Sequence, residues 1–304
     1  ILGNSNYLSS LHFIFKIRKD LNEKLLEEII NLIINQKNIS LAFIDTTYNN
    51  DGIEYFENGI RILENYNSDR SEANGRLVVN TTSINLARLA LKNKEKSLKE
   101  FYDNLDEQME LVKNELLLSF EIIGDKNKEN YSILFNGTIF DDEKLEEKQK
   151  IRKVIKSGNL NIGLIGLKEC LEYLEPDKTK EYKLLIDILN HLNKLCKNYT
   201  EKTKLNFGIC ELNDLNARKE LIAIDKAIYG IKSKITDHEY YDLITNLDFI
   251  NKDYKKCGEI EKYFTHGISY TINTSNSNKK IKSIINELKD SDVGFVNINI
   301  KEAK

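Results

Sequence analysis

The hydrophobic spacing changes period in the stretch Arg76–Leu91, RLVVNTTSINLARLAL. Leu77, Val78, Val79, Thr81, Thr82 and Ile84 form a β-branched and apolar run that suits a pleated sheet. Leu86, Leu89 and Leu91 then step at helical intervals, so the stretch predicts a strand passing straight into a helix. Upstream, Leu11, Phe13, Phe15 and Ile17 alternate as a strand within Ile1–Ile17. Asp20 is expected to cap a helix with Leu21, Leu25, Leu26, Ile29, Ile30 and Ile33 on its apolar side, followed by a strand at Ile39–Asp45. Downstream, a helix over Ser97–Ile123 carries Phe101, Leu105, Met109, Leu111, Val112, Leu116 and Leu117 on one face. Asn136-Gly137 marks a hairpin turn within Ser132–Phe140, and the charged stretch Asp141–Ser157 reads as a solvated helix. Strand Leu160–Leu167, helix Thr179–Thr203, a strand end at Asn206–Glu211, strand Ile268–Thr274, helix Lys279–Leu288 and strand Gly294–Ile300 complete an α/β alternation.

Between Thr46 and Asn74 the pattern lapses into Asn, Asp, Gly and Tyr, which predicts a long excursion between strands. With 304 residues, 40% of them hydrophobic, the chain can bury a large core as one α/β domain or two smaller ones. A net charge of -3 supplies no basic field for nucleic acid, and no apolar run is long enough for a membrane span. The absence of a signal peptide makes a reducing cytoplasm the expected setting. Cys170, Cys196, Cys210 and Cys257 are too dispersed for a zinc knuckle or a dithiol motif. Cys210, flanked by apolar residues, reads as an inert core thiol, and His191 as a packed or half-exposed helix residue. Gly163 and Gly166 lack the spacing of a dinucleotide fingerprint, and no Walker loop is present.

A strand that ends in small hydrogen-bonding residues and enters a helix is where α/β proteins place ligands. It is equally a place where Ser83 and Asn85 could simply satisfy backbone groups. The order Thr82-Ser83-Ile84-Asn85-Leu86-Ala87-Arg88 resembles the core motif Gly-Val-Val-Thr-Ile-Asn-Leu-Pro-Arg of class III (anaerobic) ribonucleotide reductases, with Asn80 in the Gly place and Ala87 in the Pro place. Further segments resemble that family in the same order. Ile162–Glu169 is similar to its Ile-Gly-Leu-Ile-Gly-Met-Asn-Glu segment, and Asn206–Glu211 to Asn-Leu-Glu-Ala-Thr-Pro, with Gly208 in the glutamate's register. Ala223–Lys226 and Tyr240-Tyr241 match two more segments, and Tyr263–Gly267 resembles its Tyr-Thr-Gly-Gly loop with His266 in place of a glycine.

The resemblance implies a ten-stranded α/β barrel of the glycyl-radical type, formed by two parallel sets of strands set antiparallel to each other and ringed by helices. The whole of 1–304 is then one barrel domain, expected to be incomplete at both ends because it opens on Ile1, with residues 46–74 entering the barrel. In that family the tip of the entering loop carries the radical cysteine. Aligning Arg61 and Leu63 on its Cys-Arg-Leu pattern leaves Gly59 and Ile60 there, and no cysteine occurs before Cys170. The family's zinc module and glycyl-radical loop would lie beyond the C-terminus, so no cofactor is expected within this chain. Thr82, Ser83, Asn85, Asn206 and Gly267 are the residues the resemblance assigns to substrate, with no catalytic residue and no metal ligand. A ribonucleoside triphosphate is the implied ligand, a radical-SAM activase and a second copy of the chain the implied partners. Two readings follow: a reductase-family fragment or degenerate copy that is inactive alone, or a non-catalytic nucleotide-binding or subunit-interaction scaffold.

Overall fold

The structure is a computed structural model that describes residues 11–35, 38–49, 52–62, 65–66, 72–93, 97–132, 134–135, 137, 139, 145–246 and 253–301. Three strands, β5 (Val78–Asn85), β6 (Asn159–Ile165) and β7 (Asn206–Glu211), run parallel in that order. Beyond β7, Cys210 pairs in parallel with Gly267, on the approach to β8 (Tyr270–Ser275). Strand β9 (Phe295–Lys301) lies parallel to β8, and β2 (Ile39–Phe43) is antiparallel to β9 and parallel to β1 (Phe13–Ile17). The result is a wall of two parallel sets, β5 to β9 in one direction and β2 with β1 in the other. This is the strand arrangement of a partial α/β barrel.

Each strand has one face against helices and one face turned inward. Leu41, Phe43, Ile84, Leu160, Ile162, Leu164, Phe207, Ile209, Val296 and Ile298 join the main apolar core. That core is completed by α1 (Glu23–Asn35), α3 (Leu98–Gly124), α6 (Lys178–Thr203) and α9 (Asn278–Lys289). The alternate positions are polar or small: Thr81, Ser83 and Asn85 on β5, Asn159, Asn161 and Gly163 on β6, Asn206, Gly208 and Cys210 on β7.

The excursion lies on the inward face. Ile53 and Tyr55 pack on Ala42, Ile44 and Phe295, with the Tyr55 and Phe295 rings 5.2 Å apart. Strand β3 (Glu54–Tyr55) turns through Glu57–Gly59 into the antiparallel β4 (Arg61–Ile62), with Asn58 and Gly59 at φ 63° and 75°. Ile60 then pairs antiparallel with Gly267. There the two backbones nearly touch: a Cβ on Gly267, which has φ 108°, would fall on the carbonyl oxygen of Gly59. A Cβ on Gly59 would meet the Ile268 carbonyl in turn.

The structure revises several sequence expectations. Asn22, not Asp20, caps α1, accepting from the Lys24 amide at 2.9 Å. Leu25 and Leu111 face solvent at 50% and 60% exposure rather than joining their helices' apolar faces. Within Asp141–Ser157, only α4 (Arg152–Ile155) is helical among the described residues, and it is packed inward through Val154 and Ile155 rather than solvated. Leu63, Asn136, Phe140, residues 141–144 and the first ten residues lie outside the described residues.

Gly267→Ala is therefore expected to destabilise the fold by roughly 3 kcal/mol or more, because both sterics and positive φ oppose it. Gly137→Ala is the control: φ is 83°, but nothing lies within 4 Å of the added methyl. It should cost only about 1–2 kcal/mol by the backbone term alone. Urea denaturation of the two variants measures the difference.

Candidate functional site

The register aligns one inward-facing layer across the wall: Ser83, Gly163, Cys210, Gly267 and Ile60. At about 4.8 Å per strand, Ser83 and Gly267 stand roughly 14 Å apart across this layer. Asn85 is one pleat further along β5 on the same face. Asn206 is four residues before Cys210, roughly 13 Å down the strand at the opposite end of the wall. Thr82 is on the other side, with Ile84 in the core and Asn80, whose Nδ2 donates to Ser119 Oγ of α3 at 2.9 Å. The structure thus places Ser83, Asn85 and Gly267 on the same inward face, Gly267 lying across β6 and β7 from Ser83. It separates Asn206 from them and turns Thr82 towards the helices.

At the C-terminal ends of β5 to β7, a buried carboxylate gathers three donors. Asp225, on α7 (Leu215–Tyr229), accepts from Asn85 Nδ2 at 2.6 Å, Arg88 Nε at 2.5 Å and the Tyr241 hydroxyl at 2.6 Å. Asn85 also caps α2 (Leu86–Lys92), its Oδ1 accepting from the Arg88 amide at 2.9 Å. Much of its hydrogen-bonding capacity is therefore spent on the fold. Two further buried carboxyls hold the segment after α7. Glu169, on α5 (Leu167–Leu174), accepts from the Asp242 amide at 2.8 Å, and Glu211 accepts from the Ile244 amide. Burial pushes both carboxyls up to about 8, against the pull of these amides.

The other end of the inward face opens on a cavity of about 500 Å³ to which Tyr48, Arg61, Asn206 and His266 contribute. Asn206 is held on every side: its Nδ2 donates to the Ser157 and Gly158 carbonyls and to Asn65 Oδ1, and its Oδ1 accepts from the Tyr66 amide. The ring of His266 fills the space over Gly208, where an added Cβ would lie 2.6 Å from Nε2. His266 Nδ1 is 2.7 Å from Asn161 Oδ1. Burial, with Arg61 and Arg76 nearby, holds the imidazole down to about 3 and therefore neutral. Glu261, on α8 (Tyr254–Glu261), is raised by burial to about 7 although Arg61 opposes that shift.

All four cysteines are buried. Cys210 is fully buried on the inward face, and burial raises its thiol to about 12, as expected of an inert core residue. Among the described residues no three His, Cys, Asp or Glu side chains gather as a metal ion would require, and no helix is long and apolar enough to cross a membrane.

A family model described as anaerobic ribonucleoside-triphosphate reductase matches residues 11–302. Nothing among curated proteins matches the chain. Among solved structures, an anaerobic ribonucleotide reductase aligns with TM-score 0.71 at 15% identity, over 95% of this chain and 46% of its own. The Thermotoga maritima anaerobic ribonucleotide reductase in complex with dATP and CTP aligns with TM-score 0.69 at 15% identity, over 94% and 47%. A glycyl radical enzyme from Archaeoglobus fulgidus aligns with TM-score 0.59 at 13% identity, over 95% and 47%. The chain spans about half the length of these structures, and the likeness is one of fold.

Asp225→Ala should cost about 3–5 kcal/mol, since Arg88 would be left without its buried partner, and Tyr241→Phe about 1 kcal/mol. Both are read from urea midpoints. Because the folded-state pKa values of Glu169 and Glu211 are raised from 4.5 to about 8, the folded chain binds more protons than the unfolded one between those values. Stability should therefore fall as pH rises through that window. Glu169→Gln, which keeps an acceptor for the Asp242 amide, should flatten the fall; an unchanged profile would contradict this assignment.

Proposed function

The chain belongs to the anaerobic ribonucleoside-triphosphate reductase family, and we propose that it is barrel wall of that family which offers a nucleotide site but does not reduce ribonucleotides by itself. One observation carries the reading. The turn that crosses the inward face presents Gly59 and Ile60, packed backbone to backbone on Gly267 and Ile268, and no thiol. In the family scheme a thiyl at that tip abstracts the ribose 3′ hydrogen and the 2′ hydroxyl leaves as water. Glycine and isoleucine side chains cannot take that role, and the wall's contribution reduces to orientation and shielding.

Ser83 is the strongest remaining contact for ribose or phosphate, being inward and half-buried in the layer shared with Gly163 and Gly267. Asn85 supports it from the same strand. That the Thermotoga reductase was solved with dATP and CTP favours a nucleoside triphosphate as the ligand class. The same reading extends to a radical-SAM activase and a second copy of the chain as partners, in a cytoplasmic setting. The subunit-interaction reading is favoured by one feature, the stripe Leu111, Leu118 and Ile122 on α3, exposed at 60%, 61% and 54%.

Incubation of the purified chain with a radical-SAM activase, reductant and CTP should yield no deoxynucleotide. Product formation that disappears in Cys210→Ala would overturn the reading in favour of the wall thiol. Calorimetry with CTP should show binding that Ser83→Ala weakens by roughly tenfold, the loss of one good hydrogen bond. No heat at millimolar CTP would remove the nucleotide site.

A further inference from the structure

We propose that the cavity between the start of β7 and the C-terminal half of α6 is a binding site for a small phosphate monoester that carries hydroxyl groups. It sits at the opposite end of β7 from the Ser83 layer and is independent of the nucleotide site above. Its volume of about 500 Å³ falls in the range of roughly 300–1,000 Å³ typical of small-molecule sites.

Charge is the first argument. Arg61 lines the cavity at 2% exposure. Its Nε donates to the Thr265 carbonyl at 3.2 Å, its Nη1 reaches Asn49 Oδ1 at 3.4 Å, and its guanidinium lies 4.5 Å from the Tyr48 ring centre. None of these is an anion. Lys197 and Lys262 stand on the rim, and neither has a carboxylate partner among the described residues. The acids that face this group are Glu201 on the rim and Glu261 behind Arg61, so three cations meet two carboxyls. Even with both carboxyls ionised, positive charge is in excess. Around the buried Arg61, Glu261 and the hydroxyls of Tyr48 and Tyr55 offset the cost of burial, so the excess positive charge stands with the rim lysines, where a phosphate would neutralise it.

The second argument is the acceptors. Asn193 spends its Nδ2 on the Tyr263 carbonyl at 2.7 Å, and its Oδ1 is buried without a partner. With His266 Nδ1 donating to Asn161, Nε2 is left as an acceptor beside Gly208, on a ring that lines the cavity. The dianionic phosphate group of a monoester offers no donor for these atoms, whereas the hydroxyls of a sugar phosphate do. Leaving such an acceptor unpaired is costly, and a hydroxyl relieves it.

Titration calorimetry of the whole chain with ribose 5-phosphate, inorganic phosphate and ribose separates the two halves of this assignment. Ribose 5-phosphate should bind, inorganic phosphate should bind at least fivefold more weakly (about 1 kcal/mol), and ribose should give no heat. Lys197→Met and Lys262→Met should each weaken both phosphate ligands severalfold; these rim positions are chosen because Arg61 is packed in the interior. Asn193→Ala should weaken ribose 5-phosphate and leave inorganic phosphate unchanged. Ser83→Ala should leave all of these unchanged while it lowers CTP affinity, so that failure of one site is distinguishable from failure of the other. The proposal is overturned by no heat with millimolar ribose 5-phosphate, by equal affinity for phosphate and ribose 5-phosphate, or by indifference to both lysine changes.

Discussion

The interior depends on a single crossing, where two main chains pass with no side chain between them. Gly59 and Gly267 allow the excursion to lie directly on the wall. Once it is there, its peptide groups are cut off from water and must be paired within the protein. The β3–β4 pair takes some, and the Arg61 amide donates to the His266 carbonyl at 3.0 Å. Asn159 reaches in from β6, its Nδ2 donating to the Arg61 carbonyl at 3.1 Å. An inward face rich in Asn and Ser is thus what a barrel needs when irregular backbone fills it, whether or not a ligand binds.

The far end of the wall solves a different problem. The parallel strands end in a cluster of carbonyls and helix starts, over which α7 and the segment at Tyr241–Ile244 are drawn. Three carboxyl groups make that closure, and they do so in two electrostatic states. Asp225 faces Arg88, a direct counter-charge, whereas Glu169 and Glu211 grip amides and are pushed towards the neutral form by burial, which outweighs the opposing charges of Lys168 and Arg218. Arg218 adds a donor to the Tyr241 carbonyl at 2.7 Å. The same residues that finish the fold therefore border the layer where Ser83 and Asn85 look inward.

Much of this could be read in the sequence. The change of period at Arg76–Leu91 marks a strand and a helix that do meet at Asn85, because alternation and helical spacing are local properties. The motif stretches Ala223–Lys226 and Tyr240-Tyr241 prove to touch through Asp225 and the Tyr241 hydroxyl. The parity of each strand was not legible: nothing in the run Thr82-Ser83 says which residue faces the helices, and the wrong half of such a pair looks equally polar. Cys210 is buried and unreactive as its apolar neighbours suggested, although those neighbours belong to the other face. The cavity was invisible because Arg61, Asn193 and His266 are brought together from three distant elements. Leu25 and Leu111 fit their periodicity but found no neighbour to cover them.

The pairing of Gly208 with His266 has a bearing on how such a chain can change over generations. The imidazole occupies the volume that any side chain at 208 would claim, so the two positions share one allotment of space. A larger residue at 208 would be rejected while the histidine stands, and loss of the histidine alone would open a void beside Asn161. Drift at either position is therefore conditional on the other. Descendants of this sequence should carry the two as a joint trait, exchanged together or not at all.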